Sequence, residues 1–327
     1  MSPFPLLRLL ADGSFHSGES LAHALGCPRS GLVHRLRALD ALGVPVFASR
    51  GRGYRLAEAI DLIRRDAPMP APFRVEVLDE CESTNTLLME RARAVHGFEA
   101  LHASVVVCER QTAGRGRRGA PWHSAIGASL TFSLLWRFQR AAAALSGLSL
   151  AVGVAAVRAL ARLGVAGVRV KWPNDLLLER GGSDANTRAK LGGILIELAG
   201  DAAGPSAAVI GIGLNLRLSA QARGLIAVPA ADIAQTGLRV SRTDLLADLL
   251  GELAVVLGTF EREGFAAFRA EWMRHHAFQG RRVALRVADR AIAEGEAVGV
   301  AADGALLLRS AAGLEQFHSG ELSLRPA

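Results

Sequence analysis

The sequence predicts an α+β chain in three parts. These are a winged helix-turn-helix over residues 1–65, a central α+β region with a mixed or antiparallel sheet over 73–277, and a small SH3-like barrel over 278–327. Three observations predict this. Short helical runs cut by Pro and Gly precede a hairpin pattern at the N-terminus. Apolar strand-like runs with intervening helices, such as Leu148–Leu163, fill the middle. Five short strand-like runs with polar turns close the chain. Between the first two parts lies the Pro-rich stretch 66–72, a semi-rigid linker.

Length and composition bound the rest. A chain of 327 residues, half of them hydrophobic, is globular and long enough for two or three domains. The charge balance, 38 − 31 = +7, favours an acidic partner such as nucleic acid or phosphate. Cys27, Cys81 and Cys108 are odd in number and show no metal spacing, which fits a reducing cytoplasm. Met1–Leu10 lacks a cleavage site, so no signal peptide is expected. Ala141–Val157 is short for a membrane span and contains Ser146, Gly147, Ser149 and Gly153; it reads as a buried helix, with no membrane partner.

At the N-terminus, Pro5 opens a helix over Leu6–Ala11 that ends at Asp12-Gly13. Ser17 caps a second, Glu19–Leu25, stopped by Gly26. A third runs over Arg29–Leu42. Leu32, Leu36 and Leu39 share its inner face, while Ser30, His34 and Arg37 point away. Val46–Ala48 and Tyr54–Leu56 form a hairpin with a basic tip. In this arrangement the third helix enters the DNA major groove, presenting Arg29, Ser30, His34 and Arg37, and Arg50 and Arg52 reach phosphates. Nine arginines oppose five acids in residues 1–65, a balance of +4. A helical dimerisation or docking module is the competing reading.

The most telling stretch is Val105–Trp122, VVVCERQTAGRGRRGAPW. A β-branched strand leads into a loop with Gly114, Gly116 and Gly119 carrying Arg115, Arg117 and Arg118. Three crowded arginines repel unless an anion sits among them, and the planar guanidinium suits phosphate or carboxylate. The glycine spacing also fits a dinucleotide fingerprint, but no helical pattern follows to hold a pyrophosphate. A solvated basic turn is the plain alternative.

Lysine occurs only at Lys171 and Lys190. A compact ammonium at two sites in an otherwise arginine-rich chain marks places where a flat fork does not fit. Val168–Val170 leads into Lys171-Trp172-Pro173-Asn174-Asp175, where proline forces an extended turn at a strand end. Asp175 there holds a metal, orients a target lysine or caps a turn. Gly192-Gly193 opens the apolar strand Ile194–Leu198, on which a flat ring could rest. Val209–Leu216 is another strand, ending at Asn215. Phe73–Leu78 reads as a strand, and Ser83 caps the helix Thr84–Ala94.

The motifs GRGRRG, KWPNDLLL, KLGGILIEL and VIGIGLNL, in this order, resemble those of the biotin–protein ligases. With the N-terminal segment, nearly the whole chain is similar to the bifunctional bacterial form, a ligase that also represses biotin synthesis. The resemblance implies a class II synthetase-like catalytic fold. It also implies ATP, biotin and magnesium as ligands, and a biotin carboxyl carrier protein and operator DNA as partners. A ligand-linked homodimer follows from it too. It places biotin against Ser83, Thr84, Asn85, Gln111, Arg115, Gly116, Arg117, Lys190, Gly192 and Gly193. The nucleotide falls to Arg117, Arg118, Trp122, Lys171, Asn174 and Asn215. Arg325 is either a nucleotide contact or a surface arginine.

Biotin's carboxylate is a poor electrophile, so ATP must activate it as an acyl-adenylate. Carboxylate and triphosphate repel, and cations have to offset both. Arg115, Arg117, Lys171 and Lys190 are the catalytic candidates, with Asp175 beside them. No residues are assigned as metal ligands. An acceptor lysine attacks the mixed anhydride, so no enzyme nucleophile is needed; the cysteines and His275-His276 receive no role. Two departures stand out. The polar turn 181–188 could shift Lys190 out of register, and Arg217–Ala234 lacks the aromatic residue that some ligases close over adenine. A lipoate or other acyl-protein ligase, or a DNA-binding regulator that only senses a ligand, are the alternatives.

Overall fold

The protein is described from a computed structural model covering residues 2–94, 99–179, 188–200, 204–287, 290–318 and 322–326. Met1–Arg64 and Arg65–Ala327 form two compact units.

The first unit contains α1 (Phe4–Leu10), α2 (Gly18–Ala24), α3 (Arg29–Ala41) and a hairpin of β1 (Val46–Ser49) and β2 (Gly53–Leu56). The Ser17 hydroxyl accepts from the Ser20 N–H at 3.0 Å and caps α2. Leu6, Leu7, Leu10, Leu21, Leu32, Leu39 and Leu56 are buried together, so the apolar face read on α3 turns inward. Arg29, Ser30, His34 and Arg37 are exposed, and so is Arg50 in the hairpin turn. Arg52 does not simply stand clear at the tip. Its guanidinium lies 4.1 Å from the Phe15 ring centroid, because a weakly hydrated planar cation gains by stacking on an aromatic face.

The second unit is built on a seven-stranded sheet in the order β3-β4-β5-β9-β8-β7-β6. Its strands are β3 (Arg74–Cys81), β4 (Ser104–Gln111), β5 (Ser129–Phe138), β6 (Val168–Lys171), β7 (Asp175–Glu179), β8 (Arg188–Gly200) and β9 (Ser206–Asn215). Only β3–β4 is parallel, so the sheet is mixed. The helix α4 (Thr84–Ala94) lays Leu88, Met89 and Ala92 on Val106, Leu135 and Val209. On α5 (Leu148–Arg162) eleven residues are buried, which explains its nearly continuous apolar sequence. Ala142–Arg162 is long and apolar enough to cross a membrane by composition, yet 67% of it is buried inside the protein. The remaining helices are α6 (Ala220–Gly224), α7 (Arg242–Glu263) and α8 (Ala266–His275). At the start of α7, fully buried Arg242 pairs with Glu109 at 2.5 Å and donates to the Ser129 carbonyl at 2.9 Å, which ties the helix to β4 and β5.

The C-terminal strands are β10 (Arg282–Val287), β11 (Arg290–Val300), β12 (Leu306–Ser310), β13 (Gly313–Phe317) and β14 (Leu322–Pro326). They form an antiparallel sheet in the order β13-β12-β11-β10-β14. This is the expected barrel-like segment, and among the described residues no pairing joins β13 to β14. Hydrogen bonds hold this sheet to the central fold. Trp172 Nε1 donates to the Gly304 carbonyl at 3.1 Å, and Ser146 Oγ to the Asp303 carbonyl at 2.7 Å.

Candidate active site

One face of the large sheet carries a cavity of about 650 Å³. Every catalytic, biotin and nucleotide residue expected from the sequence lines it except Gly192, while the six expected DNA-contacting residues lie in the first unit. Successive strand residues face opposite sides. Gly193 therefore faces the cavity, whereas a Cβ on Gly192 would strike the Gly213 carbonyl and Leu214 of the neighbouring strand.

At one end the Ser83-Thr84-Asn85 triplet starts α4, with Ser83 Oγ accepting from the Thr86 N–H at 3.4 Å. Thr84 donates to Gln111 Oε1 from its N–H at 2.8 Å, and its hydroxyl lies 3.1 Å from the same oxygen. Ser133, which the sequence did not flag, donates to Asn85 Oδ1 at 2.5 Å and lies 2.7 Å from the Thr84 hydroxyl. Asn85 Nδ2 donates to Glu197 at 2.9 Å. All three triplet residues are buried, so this is a neutral polar floor with fixed donors and acceptors. Gly211 gives Asn85 room, since any Cβ there would overlap its amide oxygen.

Two residues along β9, Gly213 faces Trp122, whose ring would lie 2.5 Å from a Cβ at that position. Gly213 pairs with Gly193, and Gly193 faces the cationic end. There Lys190 Nζ meets Asp175 Oδ1 at 2.7 Å, and Lys171 Nζ meets Asp175 Oδ2 at 3.2 Å. The polar floor and the cationic cluster are therefore offset by about 7 Å along the strand direction, and by one to two strands across the sheet. Burial alone would raise the Asp175 carboxyl; Lys190 and then Lys171 overcome it and hold it at about 2. Burial pulls Lys171 below its ordinary value, Asp175 opposes this, and the charge of Arg325 adds to it. Arg325 is thus within electrostatic reach of the cluster, on the strand β14 that walls the cavity.

The arginine loop folds back on itself: Trp122 N–H reaches the Gly114 carbonyl at 2.8 Å, and Gly116 N–H the Ala120 carbonyl at 2.7 Å. A single 3-10 turn, Arg117–Gly119, stands where a dinucleotide fold needs a helix. Arg118 takes a left-handed backbone, φ 56°, and is exposed. Arg117 reaches Asn174 Oδ1 at 3.3 Å, and burial and the charge of Arg118 lower its pKa. Arg115 does not stand free for a ligand anion. Its guanidinium grips Glu197 at 2.7 and 3.0 Å and Thr86 Oγ at 3.2 Å, so the chain itself supplies that anion.

Lys190 is held in register by β7, opposite Leu177, and by Pro229, whose carbonyl accepts its N–H at 2.7 Å. Residues 181–187, where a shift of register was expected, lie outside the described residues. Segment 217–234 brings the apolar run Leu225–Pro229 to the cavity in place of an aromatic ring. Asn215 donates to the Ala231 carbonyl at 3.0 Å, while its buried Oδ1 has no partner among the described residues. Sequence reasoning missed Glu197, Ser133 and Arg188. Arg188 bonds Glu179 at 2.8 Å and also donates to the Ala277 carbonyl. The signal for Glu197 was a lone charge inside an apolar strand, ILIEL.

Residues 79–215 match the biotin/lipoate A/B protein ligase family, 278–325 the biotin protein ligase C-terminal domain, and 5–55 an HTH domain. The bifunctional ligase/repressor BirA of Salmonella typhimurium is 38% identical, over 99% of this chain and 98% of its own. The BirA of Escherichia coli is 36% identical with the same coverage. The chain belongs to the bifunctional biotin ligase/repressor family. Among solved structures, the biotin protein ligase of Aquifex aeolicus in complex with biotin and ATP aligns at TM-score 0.62 and 26% identity. That alignment covers 78% of this chain and 99% of the Aquifex chain. The polar floor and cationic cluster thus belong to a fold that holds both ligands in that relative.

Proposed function

We propose that this protein is an ATP-dependent biotin–protein ligase that also acts as a biotin-responsive repressor. The observation that carries the ligase reading is the spacing of two unlike ends in one cavity. A neutral hydrogen-bonding floor (Ser83, Thr84, Asn85, Gln111) suits a ureido ring. A cationic cluster (Lys190, Lys171, Arg117, Arg325), two residues further along the strand direction and across the sheet in the same cavity, suits a carboxylate meeting a phosphate. A carboxylate oxygen of biotin attacks the α-phosphorus of ATP; the new C–O–P link forms and pyrophosphate leaves. Lys190 and Arg117 offset the charge that gathers on the two anions. Asn215 Oδ1 suits the exocyclic amine of adenine. The arginine loop and Trp122 cover the mixed anhydride from water. The amine of an acceptor lysine, on a biotin carboxyl carrier protein, then attacks the carbonyl carbon and AMP departs with the electron pair.

The donor set does not fit a protein-held magnesium ion. The Asp175 carboxylate already faces two ammonium groups, and no group of three His, Cys, Asp or Glu residues among those described converges on a point. A magnesium ion would instead come bound to the triphosphate, and the cations of the cavity would share with it the offsetting of charge.

The domain reading is 1–65 for DNA, 66–72 as linker, 73–277 for catalysis and 278–327 as the C-terminal sheet. The exposed row Arg29, Ser30, His34 and Arg37 and the basic hairpin turn support operator binding. The three thiols are all free, in keeping with a cytoplasmic setting without a membrane partner. ATP–pyrophosphate exchange run with biotin, then with lipoate, tests the ligase reading. Exchange with biotin alone is expected; exchange with lipoate alone assigns the cavity to another acyl group, and exchange with neither leaves only a regulator.

A further inference from the structure

We propose that Glu197 is the positioning residue of the biotin end, setting both the donor pattern of the floor and the root of the arginine loop. This rests on the biotin reading above. Glu197 sits on β8, a quarter exposed, and does not line the cavity. It nevertheless joins the two structures that do. Oε2 accepts from Asn85 Nδ2 at 2.9 Å, and both oxygens accept from Arg115 Nη2, at 2.7 and 3.0 Å.

A carboxylate only accepts. Asn85 must therefore turn its NH₂ toward Glu197, which leaves Oδ1 for Ser133 at 2.5 Å. Having given its one proton to Asn85, Ser133 accepts from the Thr84 hydroxyl at 2.7 Å, and Thr84 reaches Gln111 Oε1 through its N–H at 2.8 Å. One carboxylate thus orients an amide, and through it a buried row that reaches the far wall. The same group cancels one of three crowded arginines. Without it Arg115, Arg117 and Arg118 would share the loop with no counter-ion on the first. The Thr86 hydroxyl, 3.2 Å from Arg115 Nε, is neutral and cannot substitute. The linkage does not touch the Lys171–Asp175–Lys190 trio, though it roots the loop that carries Arg117, so its loss should be felt most by biotin and less by ATP.

The test is calorimetric titration of the full chain with biotin and, separately, with ATP, for the natural protein, Glu197→Ala and Glu197→Gln. Glu197→Ala is expected to weaken biotin binding by about tenfold or more, the scale of losing hydrogen bonds to a charged group. ATP affinity should fall clearly less, since Lys171 and Lys190 keep their places and only Arg117 loses its loop anchor. Glu197→Gln, which keeps size and one acceptor but loses the charge, should fall between. It also carries the comparison if the alanine variant does not fold. Trypsin should cut the ligand-free loop after Arg117 or Arg118 faster in both variants, an effect a merely structural role in β8 would not give. Unchanged biotin affinity in both variants, or an ATP affinity that falls as far as biotin affinity or further, overturns the inference. If the natural chain binds ATP but not biotin, the function reading itself fails and this inference goes with it.

Discussion

Lys190 and Lys171 grip opposite oxygens of Asp175, at 2.7 and 3.2 Å, so one carboxylate keeps two ammonium groups beside each other in a largely buried site. Like charges at that spacing repel strongly at low dielectric. The trio carries net +1 and is preorganised for a further anion. Lys190 is the member with more exposure toward the cavity, 28% against 9% for Lys171. Lys190→Ala should therefore cut biotin-dependent pyrophosphate exchange by about a hundredfold or more, the scale of losing one fixed charged donor. Exchange at the natural rate in that variant would take Lys190 out of the chemistry.

The arginine loop gives a second expectation. Its contacts include a fold-back pair of backbone bonds, the Arg115–Glu197 root and a 3.3 Å contact from Arg117 to Asn174, and none of residues 112–121 is fully buried. Arg118 is exposed in a left-handed conformation and adds repulsion to its neighbour. A segment with few buried apolar contacts opens at low cost. The loop should be cut readily by trypsin in the free protein and protected by biotin plus ATP. Arg117→Ala should speed release of the adenylate. Equal cleavage with and without ligands would count against a covering role.

His276 predicts an acid sensitivity. It is stacked on Trp272 at 4.5 Å between ring centroids, and burial depresses its pKa to about 3. A histidine depressed in the fold binds its proton only in the unfolded chain between about pH 6.5 and that value. Stability is then full above the unfolded pKa and falls as pH drops through the window, by about 1 kcal/mol per pH unit. Denaturant midpoints measured from pH 8 to pH 5 should decline more steeply for the natural chain than for His276→Leu. Parallel declines would mean the ring is hydrated and titrates normally.

The elements were legible because their signals are local. The Ser17 cap, the inward leucines of α3, the apolar run of α5 and the glycine-marked strands follow from periodicity and turn chemistry. Most of the site was legible too, since lysine in an arginine-rich chain and arginines among glycines are chemical oddities. What escaped was pairing across distance. Glu197 lies 82 residues from Arg115, and no spacing rule connects them. Gly192 was assigned with Gly193 because adjacency in sequence does not reveal which face of the strand is the wet one. Arg52 was read as a phosphate contact, and its stack on Phe15 escaped notice because Phe15 belongs to a distant turn. The barrel was read from five strands, but closure depends on edge pairing that strand patterns do not encode.

The last expectation joins DNA to biotin. A single winged helix reads a short half-site, and tight operator binding needs two of them spaced along the duplex. The exposed residues of α3, Arg29, Ser30, His34 and Arg37, and Arg50 in the hairpin turn give each copy a basic surface, within a segment of net charge +4. The loop around Arg117 belongs to the other compact unit. If ordering that loop around the adenylate completes a homodimer face, ligand and operator become linked. Adenylate then tightens DNA binding by the same factor by which operator DNA tightens dimerisation. An acceptor protein competes by consuming the adenylate. Sedimentation with and without biotin plus ATP should show the monomer–dimer shift. Titration onto DNA upstream of biotin-synthesis genes should show steeper, tighter binding with both ligands, weakened by rising salt as phosphate contacts require. Arg37→Ala should weaken operator binding while leaving pyrophosphate exchange unchanged. Operator binding indifferent to the ligands would uncouple the two units and leave a ligase with an independent DNA-binding domain.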